Sequence, residues 1–114
     1  MDSLPRTDRA KRIADLNDAF RTSLEGGRVI ITAGVAALDT DARIAVLKEV
    51  RAFTAFTSDN DPYGEHDFGS VSVSGHEFFW KIDYYDPSLT RHSEDAANPS
   101  VTARVLTIMR TEEY

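Results

Sequence analysis

EHDFGSVSVSGHEFFWKIDYY, residues 65 to 85, decides the fold. Polar and apolar residues alternate on both sides of Ser74-Gly75, and a short Gly-bearing pair between two alternating runs marks a tight hairpin. Two strands are expected, about Glu65 to Val73 and His76 to Tyr85. With Ser74 and Gly75 as the turn, pairing follows outward: Ser72 meets Glu77, Ser70 meets Phe79, Phe68 meets Lys81, and His66 meets Asp83. One face then carries Val71, Val73, Phe78, Trp80, Ile82 and Tyr84. Gly69 lies opposite Trp80, where a missing side chain leaves room for the indole. That is the expected core face. The other face gathers His66, Lys81, Asp83 and Tyr85, with Phe68 and Phe79 among them.

Outward from the hairpin, the periodicity changes. Ile13, Leu16, Phe20 and Leu24 recur at steps of three and four, which predicts a helix from about Thr7 to Glu25, capped by Asp8 and stopped at Gly26-Gly27. Arg28 to Thr32 is a short β-branched run with the composition of a buried strand. A second helix is expected from Asp39 or Thr40 through Val46, Leu47 and Val50 to about Phe53, because Asp and Thr side chains accept from free first-turn N–H groups. Thr54 to Tyr63 is a loop, since Pro62 removes a donor and pushes Asp61 to extended angles. After Asp86-Pro87 and a second polar loop, Asn98-Pro99 offers an N-cap, and Val101, Val105, Ile108 and Met109 supply a helical stripe. The same segment is rich in Val, Thr and Ile, so strand is the alternative there. The order α-β-α-β-β-α describes an α+β fold: a small, mainly antiparallel sheet with helices packed on one face. At 114 residues the chain is expected to form a single domain, residues 1 to 114.

Composition narrows the function. With no cysteine, disulfides and thiolate metal sites are excluded. No segment approaches the ~20 apolar residues of a membrane span, and the N-terminus lacks a signal peptide's apolar stretch, so a soluble cytoplasmic protein without membrane contact is expected. The net charge of −6 is uneven. Residues 54 to 98 hold nine Asp/Glu against two Lys/Arg, while residues 1 to 53 hold eight against nine. Such a segment repels phosphate backbones and attracts basic surfaces, so direct nucleic-acid binding is not expected.

Known catalytic patterns fail on inspection. His76-Glu77 begins a zinc-protease motif, but Trp80 stands where the second histidine belongs. Asp59, Asp61 and Gly64 fit a calcium loop, whereas Tyr63 and Ser70 replace two of its ligands. No metal or cofactor is therefore expected. The set His66, Asp83, Lys81 and Tyr85 is the candidate for acid/base work, because a carboxylate beside a histidine fixes its tautomer and favours the charged ring. The acidic, aromatic residues Asp59, Asp61, Tyr63, Glu65, Phe68, Phe79 and Tyr85 are the candidates for binding a partner.

NDPYGEHDFG (Asn60 to Gly69), FWKIDYYD (Phe79 to Asp86) and RVLTIMRTEEY (Arg104 to Tyr114) occur in this order, and with GGRVIITAGV they resemble a family of small bacterial domains of unknown function, family 3768. The resemblance implies a bacterial protein, often carried on plasmids or other mobile elements, and brings no activity, cofactor or catalytic residue with it. Two functions stand as expectations. One is a protein-interaction module or inhibitor that binds a basic surface of a nucleic-acid-handling complex, such as a defence complex. The other is a small enzyme or ligand- or metal-binding domain using His66, Asp83, Lys81 and Tyr85.

Overall fold

The computed structural model describes residues 3–114. Helix α1 (Ser3–Ser23), strand β1 (Gly27–Ile31), the single turn α2 (Ala33–Ala36) and helix α3 (Thr40–Ala52) precede strands β2 (Phe68–Val73), β3 (His76–Tyr85) and β4 (Ala103–Arg110). The strands form one sheet in the order β1-β4-β3-β2. β1 runs parallel to β4, and the other pairs are antiparallel. The chain is an α+β fold with its long helices on one face of the sheet.

The hairpin has the register expected of its turn. Phe68 pairs with Lys81, Gly69 with Trp80, Ser70 with Phe79 and Ser72 with Glu77. Ser74 and Gly75 both take positive φ, +53° and +81°, the geometry whose twist matches that of the flanking strands. A Cβ added to Gly69 would lie 2.6 Å from Trp80 Nε1, so the pair works only with glycine. Above this hairpin, Phe20, Val35, Val46 and Val50 pack on Val71, Phe78, Trp80, Ile82, Leu106 and Ile108 to form the core.

Helix α3 starts where its cap dictates, with Asp39 accepting the Ala42 N–H at 2.8 Å. Two expectations are corrected and one left open is decided. Asp8 lies inside α1 rather than at its cap, because the helix begins at Ser3 and places Pro5 in the first turn, where a missing N–H costs nothing. β1 is exposed along its whole length, since it is an edge strand rather than a central one. Of the helix and the strand open for the last segment, the strand forms: Asn98 caps only a three-residue 3-10 turn, Pro99–Val101, and Ala103–Arg110 then runs as β4 between β1 and β3. Val105 and Met109 are buried on one face of β4, Leu106 and Ile108 on the other. A strand buried on both faces loses its period of two and imitates a helical stripe.

Candidate functional site

β2 starts at Phe68 because the chain preceding it turns at His66, whose φ is +56°. Asp61 sets that turn, one carboxylate oxygen accepting the backbone N–H groups of Glu65 and His66, each at 3.1 Å. The Asp67 carbonyl still accepts the Ile82 N–H at 2.9 Å, so the ladder survives to Asp67 and is lost one residue earlier. The left-handed backbone swings His66 onto the helix side of the sheet. Its expected position opposite Asp83 is therefore corrected.

On that side His66 meets residues from α1. Its Nδ1 N–H donates to Asp18, 3.0 Å from Oδ2, while Nε2 lies 3.7 Å from Asp61 Oδ2. The ring stacks flat on Phe56, with centroids 3.8 Å apart and planes 3° from parallel. Asp18 is held in turn by Arg21, which donates to its other oxygen at 2.9 Å. Arg21 is 2% exposed, places its guanidinium 4.9 Å from the Trp80 ring, and donates to the carbonyls of Val50 and Arg51 at the end of α3. It serves as counter-ion, core filler and helix cap together.

A second polar cluster ties the same loop to the sheet. Asn17 donates to the Glu65 carbonyl and to the Tyr84 hydroxyl, both at 2.9 Å, and Tyr84 donates to the Glu65 carboxylate at 2.9 Å. Arg104 donates to Asn17 Oδ1 at 2.7 Å and to the Ala96 carbonyl, with its guanidinium 5.2 Å from the Tyr84 ring. Burial, with Glu65 beside it, holds the Tyr84 phenol well above its usual range, so it acts as a neutral donor. Burial lowers the Arg104 guanidinium from its usual value.

Beside these clusters, α1 and the loop enclose a cleft of about 560 Å³ lined by Ala10, Ala14, Asp15, Pro62, Tyr63 and His66, among others. Tyr63 is 71% exposed at its rim, and Asp59 is exposed on the same loop. Lys11, which also lines the cleft, lies 3.6 Å from Asp15. The arrangement presents one oriented imidazole, the carboxylates of Asp15 and Asp61 and the Lys11 amine to an open groove.

The remaining candidates lie elsewhere. Lys81 and Asp83 pair with each other at 2.9 Å on the outer face of the sheet, and the hydrogen bond from Lys81 to Asp83 raises the amine's pKa. Tyr85 stacks on His92, centroids 6.4 Å apart. Phe68 and Phe79 lie 5.1 Å apart on that outer face, half-buried against each other and Tyr114. The structure thus brings Asp61, Tyr63, Glu65 and His66 together and separates them from Lys81, Asp83, Tyr85, Phe68 and Phe79. Asn17, Asp18, Arg21, Phe56 and Arg104 complete the site without having been singled out in the sequence, and Tyr84, expected in the core, joins them through its hydroxyl. Asn17 and Arg21 did leave a signal, because they fall on the buried face that Ile13 and Phe20 define. Among the described residues no group of three or more ligating side chains converges as a metal site would require.

Asp67 has a consequence for stability. Burial raises its pKa above 3.8, with Glu65, Asp61 and Asp83 adding to the effect and its own backbone N–H opposing it. The native state therefore holds a proton that the unfolded chain releases in the window above 3.8, so this group's contribution to stability falls as pH rises through it. Asp67→Asn is expected to raise the thermal midpoint at neutral pH, with the gain shrinking as pH is lowered below that window. Melting curves across pH check this; a midpoint unchanged or lowered at neutral pH contradicts it.

Fold and site together define an α+β chain whose first helix and turn-bearing loop flank an open polar cleft lined by Lys11, Asp15, Asp61 and His66. The chain belongs to the family described as Protein of unknown function (DUF3768), whose profile matches residues 31–113. α1 and most of β1 lie outside the matched residues. No curated protein and no solved structure matches the chain. Among the described residues no helix is long and apolar enough to cross a membrane.

Proposed function

We propose that this protein is a bacterial, mobile-element-borne interaction module that works in the cytoplasm as an inhibitor, occupying a basic surface of a nucleic-acid-handling protein complex. The observation that carries this reading is the cleft beside α1: Tyr63 stands exposed at a rim that also holds Asp15, and Asp59 lies exposed on the same loop. A tyrosine that offers apolar area next to carboxylates is suited to take a lysine or arginine of a partner, and the surrounding negative field speeds encounter. A compact acidic surface of this kind competes for sites built to hold phosphates.

A second reading rests on the His66–Asp18 contact, which orients the imidazole as an acid/base group requires. In that reading the protein is a small enzyme or ligand-binding domain, with Asp18 in the role first expected of Asp83. Affinity capture from the native host separates the two. The interaction reading expects a basic protein retained by the wild type and lost with Asp15→Lys/Tyr63→Ala. It is overturned if no protein is retained and the purified chain instead turns over a small substrate in a manner abolished by His66→Ala.

A further inference from the structure

Thr32 donates its N–H to the Ile108 carbonyl at 3.1 Å. Backbone groups alternate sides along a strand, so Arg28 and Ile30 also turn their N–H and C=O toward β4, and Gly27, Val29 and Ile31 turn theirs away. No strand among the described residues pairs with that outward side. Of the features that commonly protect an edge, β1 carries only the single charge of Arg28, with no proline and no bulge. Ile30 is 48% exposed. Apolar surface continues from the strand onto α3, where Val29, Ile31, Ile44 and Leu47 line an open cavity of about 280 Å³ and Ile44 is 60% exposed.

We propose that this edge pairs with the same edge of a second copy of the chain, antiparallel about a two-fold axis, joining two sheets into one. The strand's fit to itself selects the occupant, and the local charge admits it. Two copies of net charge −6 repel, and the repulsion weakens with distance between their acidic segments. The order β1-β4-β3-β2 places β1 at the sheet edge opposite β2, the strand that the acidic loop 57–67 leads into. Residues 1 to 53, which include β1 and α3, carry nine Lys/Arg against eight Asp/Glu. Contact through β1 therefore brings two copies together with their acidic loops 57–67 at opposite ends of the joined sheet, and leaves both clefts open.

The strand also fits itself. With Val29 opposite the second copy's Val29, Gly27 meets Ile31, and every outward backbone group of β1 finds a mate. Shifting the pairing by one step toward the C-terminus would set Gly27 against Ala33, which is already helical. Ile44 of α3 then lies beside the joined strands, where it adds apolar area to the contact.

Sedimentation equilibrium of the full chain from micromolar to near-millimolar concentration tests this. The average mass is expected to rise with concentration from 12.7 kDa toward twice that value. Val29→Pro removes an outward N–H that has no partner within the protomer, and Ile44→Asp charges the flanking surface; both are expected to abolish the rise while the near-ultraviolet signal of Trp80 stays native. If Val29→Pro fails to fold, Ile44→Asp decides alone. A wild type that stays monomeric, a dimer that survives the folded variants, or open-ended assembly beyond the dimer, as pairing of β1 with the β2 edge of the next copy would give, overturns the proposal.

Discussion

Trp80→Ala is expected to lower stability by about 3–5 kcal/mol, the range for truncating a large buried aromatic. Trp80 is fully buried at the centre of β3, paired with Gly69 on one side and Ile108 on the other. Phe53 and Phe56 meet its ring edge-on at 5.5 and 6.1 Å, and the Arg21 guanidinium lies 4.9 Å from it. Truncation removes apolar burial, leaves a cavity that Gly69 cannot fill, and takes away the surface on which Arg21 rests. Its Nε1 N–H has no hydrogen-bond partner, so Trp80→Phe keeps most of the packing while removing a buried donor that nothing satisfies. That variant is expected to lose much less. Urea titration followed by circular dichroism checks both; a loss below about 1 kcal/mol for Trp80→Ala would show that the ring does not anchor the core.

Arg21→Met is expected to cost about 3 kcal/mol, the lower part of the range for removing one partner of a buried ion pair, because Asp18 remains partly solvated. Methionine retains the apolar stem against Trp80 but donates nothing. The carbonyls of Val50 and Arg51 lose their side-chain donor, and Asp18 loses the cation that shares it with His66. The effect spreads because Arg21 joins α1 to the end of α3 and, through Asp18, to the His66 loop. Hydrogen exchange is the second readout: amides of Glu65 and His66, which Asp61 holds, are expected to exchange faster in Arg21→Met. Unchanged exchange there together with a loss below about 1 kcal/mol would contradict the linkage.

The parts of this fold that were legible in the sequence are those that one local rule determines. The Ser74-Gly75 turn and the alternation around it determine the hairpin register, and that register alone puts Gly69 against Trp80. Asp39 likewise marks the start of α3 through one side-chain bond. What escaped depended on neighbours distant in sequence. β4 resembles a helix because β1 and β3 flank it and both of its faces are buried, which no local pattern announces. His66 left the strand because of a backbone reversal imposed by Asp61, so simple extension of the ladder placed it opposite Asp83. Its actual partner, Asp18, is 48 residues away on α1. Asn17 and Arg21 show what such a site leaves in sequence: polar residues on the apolar stripe of a helix, each buried because another element supplies its hydrogen bonds.

The structure also changes which carboxylates can test the interaction reading. Asp61 is nearly buried and bonded to the His66 turn, so reversing its charge would break the loop before it altered any long-range field. Asp15 and Asp59 are exposed and free of that duty. The most direct measurement is therefore the association rate between the chain and its captured basic partner as ionic strength is varied, for the wild type and for Asp15→Lys/Asp59→Lys. The interaction reading predicts a wild-type rate that falls steeply with salt, and a variant that associates more slowly with a flatter dependence and little change in dissociation. Equal rates and equal salt dependence for the two proteins would contradict it.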